Sequence, residues 1–365
     1  MKLPKYKNDL YPSNRKKIFK KIEKISEKDT YFSAKDCLLL GGDSLNLLTK
    51  IADESIDLIL TDPPYHTTKK NNIFGDTSFD TDDKFIDWMN KFFKQWKRVL
   101  KPNGSIYMFC SSDMSPYLYI EMSKFFNMHN IIGWSKKNEP GYDGWKQKMN
   151  KKSLRRWYPH SEHIIFCSQS VEGNLKKSPF GIFLKQLREE TGLSSKNLTE
   201  LTGAYGKINN GGAVSNWETG RNIPSREQYR KICKAFLSTK KINMMPCYED
   251  VIRPFNIDPK LQFIDIWENM NVRQRKDKHP AEKPLDLLEQ IVLTSSYEDD
   301  IVLDCFSGSA STLHASIKNK RKAIGIEIEE SWLELSSERL ANVLTNKVKN
   351  KKKLNRKNIQ KTLPF

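Results

Sequence analysis

Short apolar runs rich in branched residues recur along the chain, as expected for strands buried on both faces of a parallel sheet. Seven segments show this pattern and are predicted as strands, at residues 36–40, 57–61, 105–110, 131–134, 162–167, 301–305 and 323–327. Amphipathic patterns with helical spacing lie between several of them, at residues 84–100, 284–296 and 331–340. The alternation of strands and helices predicts an α/β layered fold.

The strand pattern stops at residues 168–180, where polar residues, Gly173 and Pro179 interrupt it. Before strand signals return near residue 250, four helical segments are predicted, at residues 180–190, 194–201, 213–218 and 225–236. Ser194 and Ser225 stand at helix starts, where a serine side chain can cap the first backbone N–H groups. The pattern predicts a helical module inserted into the α/β chain.

The charge of the chain is unevenly distributed. It carries 62 Lys and Arg against 44 Asp and Glu, a formal net charge of +18, which predicts a polyanionic partner. The excess lies mainly in residues 1–28, 134–158 and 340–365. The two termini are either solvated ends or sequence-independent contacts to that polyanion.

The basic segment at residues 134–158 also contains interleaved aromatic residues, Trp134, Tyr142, Trp145, Trp157 and Tyr158. Cations mixed with aromatic rings suit phosphate contact combined with base stacking, although half-buried loop aromatics would look the same. The candidate nucleic-acid contacts in this segment are Lys136, Lys137, Arg155 and Arg156.

Composition argues against several classes of protein. At 38% hydrophobic residues the chain can bury a sizeable core. No apolar run approaches the roughly 18–20 residues that span a bilayer, and the first residues lack the apolar stretch of a signal peptide, so we expect a cytoplasmic protein. The six cysteines form no CxxC pair and the histidines have no metal-ligand spacing, so neither a disulfide framework nor a metal site is expected.

The first candidate site directly follows the predicted strand at residues 57–61 and reads Asp62-Pro63-Pro64-Tyr65. In a doubly wound sheet, ligands bind beyond the carboxyl ends of the strands. Two successive prolines remove backbone donors and fix φ, so the turn is stiff and its carbonyls stay free to accept. Asp62 and the Pro63 carbonyl could then accept from an exocyclic amine on a planar base, while Tyr65 stacks on the ring. A proline-rich turn with a capping aspartate is the structural alternative.

At the second candidate site, the strand at residues 301–305 runs into a loop rich in small residues and then into a helix from about residue 311. We call residues 306–310 the small-residue loop. Such a loop lets a ligand approach the backbone closely at a helix N-terminus. The strand at residues 323–327 ends in an acidic residue, a position that accepts from ribose hydroxyls in nucleotide-like ligands. The GxGxxG fingerprint is absent, and a tight turn without a ligand is the alternative. The candidate ligand-binding residues are Asp304, Phe306, Ser307, Gly308, Ser309 and Glu327.

Together the two sites resemble those of the amino-methylating DNA methyltransferases, which carry a DPPY catalytic motif and an FxGxG-type loop for S-adenosylmethionine. Their order along the chain is similar to that of the permuted group called beta. The segment around Asp43 resembles the part of the family that contacts the cofactor's adenine. Residues 279–284, which include Lys283, resemble the HPxxKP element that helps hold its methionine end. Ala310 departs from the pattern, because the family usually has glycine there.

The resemblance implies a Rossmann-like S-adenosylmethionine-dependent methyltransferase fold in circularly permuted order. It implies site-specific transfer of a methyl group to the exocyclic N6 amino group of a flipped adenine in duplex DNA. We call the four residues Asp62 to Tyr65 the tetrad. In the family, aspartate in the first tetrad position favours adenine as the target base, and the N4 amino group of cytosine is the alternative target. The alternatives from other classes are a non-catalytic helix-turn-helix DNA-binding regulator and a methyltransferase for RNA or protein glutamine.

The same resemblance bears on context and partners. It implies a cytoplasmic enzyme of bacterial or phage origin that acts on double-stranded DNA as a monomer or homodimer. A restriction-modification system would add a cognate restriction endonuclease as a partner, whereas an epigenetic or phage context would not.

The inserted module resembles the helix-turn-helix of phage-repressor and Xre-like proteins, through the strings LKQLREETGLSS and AVSNWETGRNIPS. In that group the third helix reads the major groove, which makes Ser215, Asn216 and Arg221 candidate DNA contacts. The link between the second and third helices is longer than the tight turn of that group. A small bundle that packs against the main domain or a partner is the alternative.

These patterns divide the chain into five predicted regions. They are a basic N-terminal extension (1–34), a catalytic half with the basic aromatic loop 134–160 (35–170), a helix-turn-helix-like insert in the target-recognition region (176–240), a cofactor-binding half (260–342) and a basic C-terminal tail (343–365).

Overall fold

The computed structural model describes residues 15–66, 79–135, 150–155, 157, 160–170, 179–204, 212–257, 263–268 and 282–361. The strands are β1 Thr30–Ala34, β2 Cys37–Gly41, β3 Ile56–Thr61, β4 Leu100–Ser111, β5 Phe126–Ser135, β6 Ser161–Gln169, β7 Ile266–Trp267, β8 Ile301–Asp304 and β9 Lys322–Glu327. The helices are α1 Arg15–Ile25, α2 Ser44–Leu48, α3 Asp82–Val99, α4 Ser115–Ser123, α5 Pro179–Thr191, α6 Ser195–Thr202, α7 Gly212–Glu218, α8 Arg226–Ser238, α9 Tyr248–Val251, α10 Leu285–Ser295, α11 Ser311–Lys318 and α12 Glu330–Lys361.

The strands form one mixed sheet in the order β1-β2-β9-β8-β3-β4-β6-β5-β7. Strands β2, β9, β8, β3 and β4 are parallel, β1 is antiparallel to β2, and β6 is antiparallel to both β4 and β5. The late strands β8 and β9 therefore lie between the early strands β2 and β3. The α/β fold and all seven predicted strands are confirmed, and the two strands that the pattern missed, β1 and β7, lie at the sheet edges.

Both faces of the sheet are covered, as the near-continuous apolar strands predicted. Ile59 of β3 packs in the same core cluster as Phe92 and Trp96 of α3. Its neighbours Leu58 and Leu60 point to the opposite face, where they meet α10. Because side chains alternate along a strand, one short strand contributes to two cores and is completely buried.

Helix α3, which follows the first candidate site, has clear sequence signals at both ends and along its buried face. The Thr81 side chain accepts from the backbone N–H of Lys84 at 3.3 Å and caps α3. Acidic residues in its first turn and basic residues in its last complement the helix dipole. The buried residues recur at helical spacing along one face: Phe85, Met89, Phe92, Phe93, Trp96 and Val99.

The inserted segment is helical, as predicted, and has its own apolar core. Ser194 caps α6 by accepting from the N–H of Asn197 at 3.0 Å, and Ser225 forms a capping box with Gln228 at the start of α8. Helices α5 and α7 touch through Gly181, where a Cβ would lie 2.4 Å from the Glu218 carbonyl oxygen. We call α5–α9 the helical module.

The described part of the predicted basic N-terminal extension, residues 15–34, belongs to the main fold. Phe19 and Ile22 of α1 are buried in the main core, and β1 extends the sheet. Arg15 is also buried and contacts three carboxylates. The lysines of α1 lie on its exposed face. The positive charge of this segment therefore belongs to an amphipathic helix whose apolar face is buried. At the other end, α12 continues as helix to Lys361, well beyond the predicted end at residue 340.

Candidate active site

The two candidate sites meet at the carboxyl ends of neighbouring parallel strands. Thr61 at the end of β3 donates its hydroxyl hydrogen to Oδ1 of Asp304 at the end of β8, at 2.8 Å. The backbone N–H of Cys305 donates to the same threonine oxygen at 3.1 Å. Burial raises the pKa of Asp304 to about 6. These bonds hold the Asp-Pro-Pro-Tyr turn beside the small-residue loop.

Asp62 lies at the centre of this junction with its two carboxylate oxygens in different environments. Oδ2 accepts from the Lys283 ammonium group. Oδ1 is buried and has no hydrogen-bond partner among the described residues. Burial raises the pKa of Asp62 above its ordinary value, although the Lys283 charge lowers it. A carboxylate with one buried, available oxygen is an acceptor prepared for an N–H donor.

Tyr65 is fixed through a residue that the sequence did not single out. Its hydroxyl donates to Oε2 of Glu162 at 2.8 Å, and the Lys283 ammonium nitrogen lies 3.6 Å from the same oxygen. Burial and the nearby carboxylates raise the pKa of Tyr65, so the hydroxyl keeps its proton and donates. Burial lowers the pKa of Lys283, but its two carboxylate neighbours outweigh this effect and raise the pKa. The ammonium group therefore stays charged.

The placement of Glu162 follows from strand direction. Strand β6 is antiparallel to β4, so its first residues lie at the edge where the parallel strands end. An acidic residue at the start of an antiparallel strand next to a parallel sheet is the signal that could have identified it. Lys283, predicted among the cofactor residues, lies in this acidic cluster against Asp62.

The small-residue loop is organised around Glu327 at the end of β9. Glu327 Oε2 accepts from the Gly308 N–H at 2.7 Å, and Oε1 accepts from two N–H groups at the start of the next segment. Burial raises the pKa of Glu327. From α12, Arg339 donates to the Ser309 carbonyl at 3.0 Å and pairs with Glu282 at 3.1 Å. Arg339 is a second residue that sequence reasoning missed, and it joins the loop to the segment carrying Lys283.

Ala310 occupies a left-handed backbone position, with φ at +56°. This conformation costs an L-residue about 1–2 kcal/mol, which explains why glycine suits the position. The Ala310 methyl group is buried in the core formed with α11, and such burial contributes about 0.8 kcal/mol. The packing of the methyl group thus offsets about half of the backbone cost.

The remaining predicted cofactor residues line the same edge. Gly42 donates its N–H to the Glu327 carbonyl at 2.8 Å, which brings the β2 end beside β9. Asp43 follows and caps α2 by accepting from the Asn46 N–H at 2.9 Å. The Phe306 ring lies 5.0 Å from that of Phe92. Four strand ends therefore bring the predicted tetrad and the predicted cofactor residues to one edge of the sheet.

The structure describes four of the predicted DNA contacts, Arg155, Ser215, Asn216 and Arg221. Ser215 and Asn216 are half-buried on α7, and Arg221 is exposed after it. Arg155 is exposed and donates to two nearby backbone carbonyls at 3.2 Å. Lys136, Lys137 and Arg156, like the predicted HPxxKP residues 279–281, lie outside the described residues.

Across the described part of the chain, no helix is both long and apolar enough to cross a membrane. Among the same residues, no group of three or more His, Cys, Asp or Glu could hold a metal ion.

Comparison with known proteins agrees with this architecture. The chain is 28% identical over 314 residues to the DNA adenine methyltransferase YhdJ of Escherichia coli (strain K12), covering 85% of each protein. It is 23% identical over 304 residues to the type II methyltransferase M.BglII of Bacillus subtilis, covering 82% of this chain and 67% of that one. The structure of the PvuII DNA methyltransferase (cytosine-N4-specific) has the same fold, with a TM-score of 0.50, 17% identity, and coverage of 86% of this chain and 93% of that one.

A family model described as DNA methylase matches residues 56–338. The match includes the Asp-Pro-Pro-Tyr turn, the small-residue loop and the strands that bring them together. It covers well over half of the chain, which therefore belongs to the N6_N4_Mtase family of DNA methylases.

Proposed function

We propose that this DNA methyltransferase transfers a methyl group from S-adenosylmethionine to the exocyclic N6 amino group of an adenine flipped out of duplex DNA. The observation that carries the proposal is the buried Oδ1 of Asp62, which has no hydrogen-bond partner among the described residues, beside a Tyr65 held by Glu162. Adenine is favoured by the aspartate in the first tetrad position. The relative YhdJ, which is named a DNA adenine methyltransferase, supports this choice. The N4 amino group of cytosine, which is equally an exocyclic amine, is the alternative target.

Base flipping is required because an amino nitrogen inside a duplex cannot reach a bound cofactor. Extrusion of the base costs a few kcal/mol, and stacking on an aromatic ring returns about 1–3 kcal/mol. Tyr65 supplies that ring, and its bond to Glu162 fixes the ring before the base arrives. Pre-organisation of this kind lowers the entropy cost of binding the base.

S-adenosylmethionine supplies an electrophilic methyl group on a sulfonium centre. Asp62 Oδ1 accepts a hydrogen bond from the amino group, which draws the nitrogen lone pair away from the ring and towards the methyl group. As the nitrogen lone pair forms the N–C bond, the bond between the methyl carbon and sulfur would break and its electron pair would stay on sulfur. Positive charge develops on nitrogen, and one N–H proton then passes to Asp62 Oδ1. When ionised, Asp62, Glu162 and Lys283 together carry one net negative charge, which stabilises the developing positive charge. The raised pKa of Asp62 makes it a better proton acceptor.

The loop edge fits the proposed cofactor. The carboxylates of Asp43, Glu327 and Asp304 lie at three strand ends and can accept from hydroxyl or amino groups. Gly308 leaves the backbone open to close approach in a left-handed turn. Phe306 offers a ring, and Ser307 and Ser309 offer hydroxyl groups. The Ser307 hydroxyl is buried and has no partner among the described residues, so a ligand group could bind there.

The biological setting is part of the same proposal. The protein methylates a specific site in double-stranded DNA, in a restriction-modification or epigenetic context. The relatives named type II methyltransferases support the first of these settings, in which a restriction endonuclease would share the recognition sequence.

Methyl transfer can be tested directly with purified protein, duplex DNA and S-adenosylmethionine labelled in the methyl group. We expect label in DNA and, after digestion to nucleosides, in N6-methyladenine. Asp62→Asn should abolish transfer and keep cofactor binding, whereas Asp80→Asn on the exposed loop should leave both unchanged. Label in N4-methylcytosine would overturn the choice of base. Label only in RNA or protein, or in none of the three, would overturn the assignment to DNA methylation.

A further inference from the structure

The helical module is attached to one particular edge of the sheet. Arg15 bridges the module to the sheet, since its Nη1 lies 2.9 Å from Asp250 Oδ1 in α9 and its Nη2 lies 3.0 Å from Asp57 Oδ1 in β3. Its Nε lies 2.5 Å from Asp300, the residue before β8. Asp57 is the second residue of β3. These contacts fix α9 beside the amino ends of β3 and β8.

Further contacts place the rest of the attachment at the same edge. Asn103, near the start of β4, donates to the Glu249 carbonyl at 2.8 Å and to the Ile252 carbonyl at 3.3 Å. The Arg226 guanidinium carbon, at the start of α8, lies 4.8 Å from the Tyr248 ring centroid and 5.4 Å from that of Tyr297, just before β8. Both α8 and α9 therefore contact the edge where the parallel strands begin.

The candidate active site lies at the opposite edge. Asp57 is near the beginning of β3 and Asp62 directly follows its end. At about 3.3 Å per residue, these two positions are roughly 17 Å apart along the strand. The module is therefore attached at the edge of the sheet opposite the one that carries Asp62.

The outer surface of the module carries positive charge. Between residues 179 and 251 there are eleven Lys and Arg against seven Asp and Glu. Lys196 on α6 and Arg230 and Lys234 on α8 are exposed, and no described residue forms an ion pair with them. Arg230 and Lys234 are four residues apart and so share one face of α8. We call these three residues the module cations.

We propose that the helical module binds a second segment of duplex DNA through the module cations, separate from the segment whose base is methylated. The charge of the module complements a phosphate backbone, and its place at the amino edge keeps it away from the DNA that enters at Asp62. The inference rests on the proposed function in one respect, which is that a first DNA duplex binds at the active site. It assigns the methylated duplex to the carboxyl edge of the sheet and a second duplex to the module.

The test uses the full-length chain and two duplexes. An immobilised 30-bp duplex carries the methylation motif found by sequencing DNA from expressing cells, and a fluorescent 30-bp duplex lacks it. We expect wild-type protein to retain the fluorescent duplex on the immobilised one. Arg230→Glu/Lys234→Glu should lower that retention at least tenfold while methyl transfer to the motif stays within twofold. The melting temperature of this variant shows that it remains folded.

A matched control makes the same charge change on another helix. Lys91→Glu/Lys94→Glu alters two exposed residues of α3 and should retain the second duplex like wild type. Equal retention by both double variants and wild type would overturn the proposal. So would an equal loss of retention and methyl transfer in the module variant, since the module would then act on the methylated duplex. Failure of the wild-type protein to retain the fluorescent duplex would also overturn it. Absence of methyl transfer by wild type would instead count against the proposed function.

Discussion

Thr61 and Asp304 are 243 residues apart in the chain and are joined by a hydrogen bond of 2.8 Å between the threonine hydroxyl and the aspartate carboxylate. Thr61 directly precedes the tetrad, and Asp304 lies just before the small-residue loop. One side-chain bond thus couples the residue predicted to accept from the target base to the loop predicted to hold the methyl donor.

Thr61→Val tests this coupling. Valine has nearly the same shape but no hydroxyl, so the buried Asp304 loses a donor at a cost of about 1–3 kcal/mol. We expect a lower free energy of unfolding and weaker binding of S-adenosylhomocysteine, measured by urea unfolding and titration calorimetry. Thr49→Val removes an exposed hydroxyl and should change neither quantity. Unchanged ligand affinity in Thr61→Val would show that the bond does not organise the cofactor loop.

Glu162→Ala tests the residue that positions Tyr65 and Lys283. Without Glu162, the Tyr65 ring loses its fixed orientation and Lys283 loses one of its two carboxylate neighbours. We expect methyl transfer to fall about 10- to 100-fold, with a smaller flipped fraction reported by 2-aminopurine at the target position. Cofactor affinity should change little. Rescue by Glu162→Gln, which keeps an acceptor for Tyr65, is expected to be partial, because glutamine lacks the charge.

Asp304→Asn tests the pH dependence that follows from the burial of Asp304. Its pKa rises from 3.8 to about 6, so the folded state favours the protonated form. The associated stability is fully present below about pH 4 and is lost as the pH rises through about 6. Above that pH the buried charge costs up to about 3 kcal/mol.

Asparagine carries no such charge and can still accept from Thr61. The variant should therefore gain stability relative to wild type between pH 5 and pH 8, measured as the difference in unfolding free energy in urea. A difference that stays constant with pH would contradict the raised pKa. Cofactor binding should weaken at both pH values, because the carboxylate itself is lost.

Arg15→Met tests whether residues 15–34 belong to the main fold. Removal of the guanidinium group leaves Asp57, Asp250 and Asp300 buried, with Lys101 near Asp57 as a remaining cation. Breaking a buried ion network by removing one partner costs about 3–5 kcal/mol. We expect that loss in urea unfolding, whereas Lys20→Met on the exposed face of the same helix should cost under 0.5 kcal/mol. Equal stability of the two variants would show that the N-terminal helix is not part of the cooperative unit.

Local patterns were sufficient for much of the fold. The strands at the centre of the sheet are continuous apolar runs, the helix caps at Ser194 and Ser225 follow from the side-chain chemistry of serine, and the Asp-Pro-Pro-Tyr turn could be placed from the strand before it. Each of these features depends on residues close together in the chain. Edge strands were missed, since β1 alternates in burial and β7 has only two residues.

The sequence by itself determined the α/β fold, the order of the two candidate sites along the chain, and the place of the motif Asp62 to Tyr65 directly after a strand. Only the tertiary structure decided that Glu162 holds Tyr65, that Lys283 lies against Asp62, that Arg15 is buried among carboxylates and that the helical module is attached at the edge opposite Asp62. Periodicity and motif spacing report local conformation. These pairings instead depend on strand order and direction, which bring together residues about 40 to more than 200 positions apart.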